Sequence, residues 1–280
     1  MSRRKAARVS VPDVIAWKRE GRKIPVLTCY DYTMARILDQ CSIPILLVGD
    51  SLGQVMLGYD STLPVTLDDM VHHTRAVSRA RPRALVVADM PFLSFQLGAE
   101  RALEAAGRLV RDGGADAVKI EGGERSLGAI QYLVEAGIPV MGHLGLTPQS
   151  ILAFGGYRMR GRSREERATL RRDARRLQEA GCFALVLESI PASLAAEVTA
   201  ALEIPTIGIG AGPQCDGQVL VLHDMLGFFT EFKPRFVRRF MQGAELMAAA
   251  VEAYAQAVTA SEFPAAEHSF ELPADDGEQA

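Results

Sequence analysis

The stretch ALVVADMPFLSFQLGAERALEAAGRLVRDGGADAVKIEG, residues 84–122, decides the architecture of this chain. ALVVADMP (84–91) and AVKIEG (117–122) are short apolar runs that close on a polar residue or a glycine. Near-continuous Val, Ile and Leu runs read as strands buried on both faces, as in parallel sheets. Between them, AERALEAAGRLVRDG (99–113) sets Leu103, Ala106, Gly107 and Val110 at helical spacing with charges opposite, and Gly113 and Gly114 supply a stop. Strand, helix and strand in that order predict one βαβ unit.

Outward from this unit the pattern repeats. IPVLTCY (24–30), IPILLVGD (43–50), IPVMGHLG (138–145), CFALVLES (182–189), IPTIGIGAG (204–212) and GQVLVLHDM (217–225) bring the predicted strands to eight. Runs at 24, 43, 138 and 204 open on Ile-Pro, which a strand tolerates before its ladder begins. Helices are predicted over 67–80, behind Thr66 with Asp69 as a capping pair, and over 164–181 and 193–202. Eight strands alternating with helices favour an α/β fold of the (β/α)8 TIM-barrel type over an open doubly wound sheet. The connection from Pro213 to Asp216 is too short for a helix. PDVIAWKREG (12–21) is expected to cap the N-terminal end of the barrel, and a long last helix to run from about Pro234. Residues 1–261 are thus expected to form a single barrel domain with that C-terminal helix. Residues 262–280 carry six acidic side chains and no Lys or Arg, and read as an acidic, partly disordered tail.

Composition narrows the function classes. With 48% hydrophobic and 23% charged residues and a net charge of -3, the chain is an ordinary globular protein, and its overall field recruits neither nucleic acid nor an anionic membrane. The four cysteines, Cys29, Cys41, Cys182 and Cys215, hold no Cys-x-x-Cys spacing, so reduced thiols and a cytoplasmic location are expected. The basic N-terminus lacks the apolar run of a secretory signal. The nine arginines between residues 155 and 178 lack interleaved aromatics and read as a solvated helix face with Glu165, Glu166 and Asp173 as partners. GIGAG (208–212) is followed by Pro213 and a strand rather than a helix, which excludes a dinucleotide fingerprint; a phosphate loop and close backbone packing stay open. The loop 146–163 is long enough for a lid or a subunit contact.

The active site of such a barrel lies at the C-terminal strand ends. There the sequence puts Asp50 and Ser51, Asp89, Lys119 and Glu121, His143, and Glu188, whereas the strand starts are Ile, Pro, Ala and Val. Lys119 and Glu121 are two apart on a strand and point to one face. Charge inside a barrel is costly unless paired or bound to an ion. One Lys and one His do not offset four carboxylates, so a divalent cation is expected among Asp50, Asp89 and Glu121, and hard oxygen donors suit magnesium. The chain has five lysines against 26 arginines, and Lys119 is the sole lysine from 24 to 232, consistent with a need for a compact charge. His72 and His73 read as structural helix residues, and His223 is placed inside the last strand.

VGDSLGQVMLGYDSTLPVTLDDMVHHTRAV, ADMPF, VKIEGG, MGHLGLTPQS, GGYRMRG and IPTIGIGAGPQCDGQVLVLHDMLG together resemble the ketopantoate hydroxymethyltransferase family from about Val11 to Phe240. The resemblance implies magnesium at Asp50, Asp89 and Glu121, keto-acid contacts from Asp50, Ser51, Asp89, Lys119 and His143, and Glu188 as the catalytic proton acceptor. It implies transfer of a hydroxymethyl group from 5,10-methylenetetrahydrofolate to 3-methyl-2-oxobutanoate, giving 2-dehydropantoate for pantothenate synthesis. It also implies a large homo-oligomer, commonly a decamer. Arg158 stands where many members have Lys. The competing reading is a magnesium-dependent 2-oxo-acid aldolase or lyase on the same barrel.

Overall fold

A computed structural model describes residues 7–271. Eight parallel strands close into a barrel in sequence order: β1 (Ile24–Thr28), β2 (Ile45–Val48), β3 (Leu85–Asp89), β4 (Ala117–Glu121), β5 (Val140–Gly145), β6 (Ala184–Glu188), β7 (Thr206–Ile209) and β8 (Gly217–Leu220). The expected barrel is therefore present, and β8 pairs with β1 to close it. Every residue of β2, β3 and β4 is buried, which explains their unbroken apolar runs: one face fills the barrel and the other meets the helices.

Alternation along the strands decides what fills the interior. Ile45, Leu47, Leu85, Val87, Ala117, Met141, Ala184, Val186, Ile207 and Val219 share one core cluster. Val14 and Trp17 of the helix Val11–Arg19 join it, so this helix seals the N-terminal end as expected. Burying two such side chains contributes roughly 1.5–3 kcal/mol each. The Lys18 ammonium fastens the helix further, donating to the Asp216 carboxylate at 2.7 Å and the Thr199 carbonyl at 2.9 Å.

Three sequence expectations shift. The helix Ala99–Arg111 buries Ala102, Ala105, Ala106 and Leu109, one residue round from the face expected. Both faces have i, i+3, i+4 spacing, and the alanine face packs closer. His223 lies outside the last strand, which ends at Leu220, and sits in the short helix Leu222–Leu226. The long C-terminal helix is Gly243–Thr259, and Pro234 stands in a turn ahead of it.

The Thr66 capping pair forms: the Asp69 amide donates to Thr66 Oγ1 at 3.1 Å, and Thr66 N–H donates to the Asp69 carboxylate at 2.9 Å. The arginine-rich helix Arg164–Glu179 is laced by ion pairs. Arg160 pairs with Glu166, Arg172 with Asp173, Arg171 with Glu197, and Arg176 with Glu124. The glycines of GIGAG serve close packing: a Cβ on Gly212 would lie 2.5 Å from Ala192 Cβ, and one on Gly210 2.8 Å from Phe236.

The chain divides into two compact units. The first runs to Leu222 and takes in Pro234–Val237; the second holds His223–Lys233 and the chain from Arg238 on. No helix among the described residues is long and apolar enough to cross a membrane. Residues 272–280 of the acidic tail lie outside the described residues.

Candidate active site

The inward register that builds the core continues upward into charge. Above Leu85 and Val87 on β3 comes Asp89; above Ala117 on β4 come Lys119 and Glu121; above Met141 on β5 comes His143; above Ala184 and Val186 on β6 comes Glu188. Strand pairing sets Asp89 beside Lys119 and Glu121 beside His143. Asp50 breaks the alternation. It follows Gly49, where a Cβ would come within 2.9 Å of Ser51 Oγ and 3.5 Å of Asp89 Oδ2. The bare glycine lets the chain turn inward, and Asp50 N–H then donates to Asp89 Oδ2 at 3.0 Å.

All residues predicted for the site come together on this rim, and Asp50, Asp89, Lys119, Glu121 and His143 are each at most 5% exposed. The Lys119 ammonium lies 3.2 Å from Asp89 Oδ1 and 3.1 Å from His143 Nδ1. An ammonium only donates, so whenever the ring is neutral Nδ1 accepts and the ring proton sits on Nε2, which faces Glu188 Oε2 at 3.1 Å. Ser51 sits below the rim's mouth, its hydroxyl 2.9 Å from the Tyr30 hydroxyl.

Burial pushes the Asp50 carboxyl well above its ordinary value, and the charges of Asp89 and Glu121 push it further. Burial also raises Asp89, despite Lys119 beside it. For Glu121, burial is outweighed by the approach of His143, by Lys119 and by the Gln149 amide, which hold it below its ordinary value. Lys119 is held above the usual lysine range: burial disfavours its charge, but Asp89, Glu121 and Asp50 more than compensate. Burial and Lys119 disfavour a charged His143, yet the approaches of Glu121 and Glu188 leave its pKa raised.

This donor set fits a hard divalent cation. Asp50, Asp89 and Glu121 each spend one oxygen on an N–H, at Asp50 Oδ2, Asp89 Oδ2 and Glu121 Oε2. The opposite oxygens of Asp89 and Glu121 are buried: Asp89 Oδ1 faces the Lys119 ammonium at 3.2 Å and Glu121 Oε1 faces His143 Nδ1 at 3.4 Å. One ammonium among three buried carboxylates leaves negative charge that a cation would offset. Among the described residues no three His, Cys, Asp or Glu side chains close into a ligand cage. A cation at Asp50, Asp89 and Glu121 would therefore complete its shell with water or ligand oxygens, as magnesium commonly does.

Comparison with known proteins narrows the chemistry. The sequence profile of the ketopantoate hydroxymethyltransferase family matches residues 8–266. The chain belongs to the ketopantoate hydroxymethyltransferase family. It is 55% identical over 264 residues to the 3-methyl-2-oxobutanoate hydroxymethyltransferase of Moorella thermoacetica, covering 94% of this chain and 98% of the relative. It is 56% identical over 263 residues to that of Desulfotalea psychrophila, covering 94% of each. Among solved structures, the fold resembles phosphonopyruvate hydrolase complexed with oxalate and Mg++, with a TM-score of 0.61 at 12% identity over 93% of each chain. It also resembles 2,3-dimethylmalate lyase, a PEP mutase/isocitrate lyase superfamily member, with a TM-score of 0.54 at 18% identity, covering 96% of this chain and 92% of that one.

Within this member of the ketopantoate hydroxymethyltransferase family, the rim holds three side chains that sequence reading did not single out. Tyr30 supports Ser51, and its own carbonyl lies 2.7 Å from His73 Nδ1. Tyr157, half-exposed in the 146–163 loop, has its phenol raised by burial and then by the charges of Asp50 and Glu188. Gln149 is buried on the short 3-10 turn Pro148–Ser150. A polar residue in the turn directly after β5 was the available signal for it.

Proposed function

We propose that this chain transfers a hydroxymethyl group from 5,10-methylenetetrahydrofolate to 3-methyl-2-oxobutanoate, forming 2-dehydropantoate and tetrahydrofolate in pantothenate synthesis. The observation that carries the reading is the buried rim of three carboxylates, Asp50, Asp89 and Glu121, with Lys119, His143 and Glu188 beside them, in a chain of this family.

Asp50, Asp89 and Glu121 would hold magnesium, which would supply the positive charge to polarise the keto group and acidify the C3 proton. Glu188 removes that proton. Its carboxylate faces His143 Nε2 at 3.1 Å, which orients it. Lys119 adds a fixed charge where the enolate oxygen develops; preorganised groups of this kind contribute roughly 2.7–4 kcal/mol each. Ser51, braced by Tyr30, holds the keto acid by hydrogen bonding. Water opens the methylene bridge and hands over the one-carbon unit as formaldehyde, releasing tetrahydrofolate. The enolate carbon adds to the formaldehyde carbon, and the formaldehyde oxygen takes up a proton to become the new hydroxyl. The same reading makes the protein a cytoplasmic homo-oligomer, a decamer, acting on a small-molecule substrate without nucleic acid or membrane; the family membership supports it.

The test is direct. The chain, incubated with the keto acid, 5,10-methylenetetrahydrofolate and magnesium, is expected to release 2-dehydropantoate and tetrahydrofolate in equal amounts by mass spectrometry. Cleavage or formation of a carbon–carbon bond at full rate without the folate would instead favour the 2-oxo-acid aldolase or lyase reading, which the folds of the solved neighbours keep in view.

A further inference from the structure

We propose that Gln149 is a positioning residue that aims Asp50 and Glu121 at the divalent cation; the proposal rests on the reading of Asp50, Asp89 and Glu121 as its holders. Gln149 Nε2 donates to Asp50 Oδ2 at 2.9 Å and to the Met90 carbonyl at 2.9 Å. The Met90 carbonyl can only accept, so the nitrogen end of the amide must face this pair. Its Oε1 accepts from Gln96 Nε2 at 3.3 Å, and its backbone N–H donates to Glu121 Oε2 at 3.0 Å. One buried residue thus ties together the ends of β2, β3 and β4.

The turn that carries Gln149 is itself held. Thr147 Oγ1 donates to Ser150 Oγ at 3.0 Å, and Arg125, from the loop after β4, donates to the same oxygen. The amide is also the right charge type. Asp50, Asp89 and Glu121 already share Lys119. A second cation at residue 149 would cancel the negative charge that attracts the metal, and an acid would add to the repulsion that burial already magnifies. A neutral double donor orients Asp50 without doing either. With Asp50 Oδ2 and Glu121 Oε2 engaged by Gln149, the opposite oxygen of each carboxylate is the one presented to the ion. Groups that orient metal ligands in this way typically change metal affinity about 10–100-fold when removed.

The test is calorimetric titration of the metal-free full chain with Mg2+, independent of turnover. Gln149→Met keeps the volume and the backbone N–H to Glu121 but removes both side-chain donors. The Mg2+ dissociation constant is expected to rise by about 10-fold or more. Gln96→Met, which leaves both donors on Asp50 and Met90, is expected to change it far less. In Asp50→Ala, which leaves Gln149 no carboxylate to aim at that position, adding Gln149→Met is expected to cost little more. Turnover of Gln149→Met is expected to recover at high Mg2+, with kcat restored and the metal requirement shifted. Should the Met variant fail to fold, Gln149→Ala, which also removes both side-chain donors while keeping the backbone N–H, is expected to weaken Mg2+ binding by a similar factor. Unchanged affinity in the Gln149 variants, with wild type binding Mg2+ normally, overturns the role of Gln149 alone. Absence of Mg2+ binding by the wild type overturns the cation site as well.

Discussion

Replacing Lys119 with Met removes the ammonium that Asp50, Asp89 and Glu121 share. The Nζ lies 3.2 Å from Asp89 Oδ1, and both side chains are at most 5% exposed. Deleting one member of such a buried pair costs about 3–5 kcal/mol, because the partner charge is left without compensation. At roughly 2–4 °C per kcal/mol for a domain of this size class, the metal-free variant is expected to melt ~10 °C below wild type. Asp89→Asn added to Lys119→Met removes both charges, and most of the loss is expected to return. Magnesium is expected to restore part of the single variant's stability, since it brings back the missing positive charge. The assay is thermal and urea denaturation of chelator-stripped protein, with and without Mg2+. A Lys119→Met variant as stable as wild type, or a double variant that falls further, would refute the reading of Lys119 as the counter-charge of this rim.

Three further outcomes follow from the geometry. Asp50 is pushed well above the ordinary carboxylate value of about 4, so in metal-free protein it holds a proton at pH values where the unfolded chain has lost it. Folded protein then binds more protons than unfolded, and Asp50 is expected to contribute stability at low pH that is lost as pH rises through its raised value. Denaturation across that window, compared with Asp50→Asn, checks it, and an identical pH profile would contradict it. Mg2+ must displace that proton, so its affinity is expected to weaken toward acid pH with proton release, measured as a buffer-dependent heat of binding. Gly145→Ala forces a left-handed φ of +100° on a side-chain residue and sets its Cβ 2.1 Å from the Glu188 carbonyl oxygen. Backbone strain alone is worth about 1–3 kcal/mol. Both stability and turnover are expected to fall, and a variant with full activity would show that the end of β6 tolerates displacement.

Much of the site was legible because strand alternation is a rule of period two. Once Leu85 and Val87 are read as inward, Asp89 must follow, and Ala117 carries Lys119 and Glu121 with it. Asp50 was legible by position, as the last residue of its run, although Gly49 turns it inward against the alternation. Gln149 was not. It is neutral, so charge counting passes over it, and it acts from a turn beyond the strand, where no period applies. Tyr30 escaped for a related reason: an aromatic side chain near a strand end reads as core until its hydroxyl partner is known, and Tyr157 lies in the 146–163 loop, where no period applies. The helix Ala99–Arg111 shows a different limit. Its apolar and small residues satisfy two adjacent faces, and only packing against the sheet selects Ala102, Ala105, Ala106 and Leu109. At the C-terminus, Pro234 looked like a first helical residue, but proline suits a turn equally well, and the helix begins at Gly243.

The central claim is that this rim generates an enolate, with Glu188 as the base. The most direct measurement is deuterium exchange at C3 of 3-methyl-2-oxobutanoate in D2O, followed by NMR with magnesium present and absent, with and without tetrahydrofolate. Wild type is expected to exchange the C3 proton only with the metal, and Glu188→Gln to exchange it about 100-fold more slowly or less, the usual scale of lost general-base catalysis. Exchange that ignores magnesium, or that proceeds in Glu188→Gln at the wild-type rate, would contradict the account.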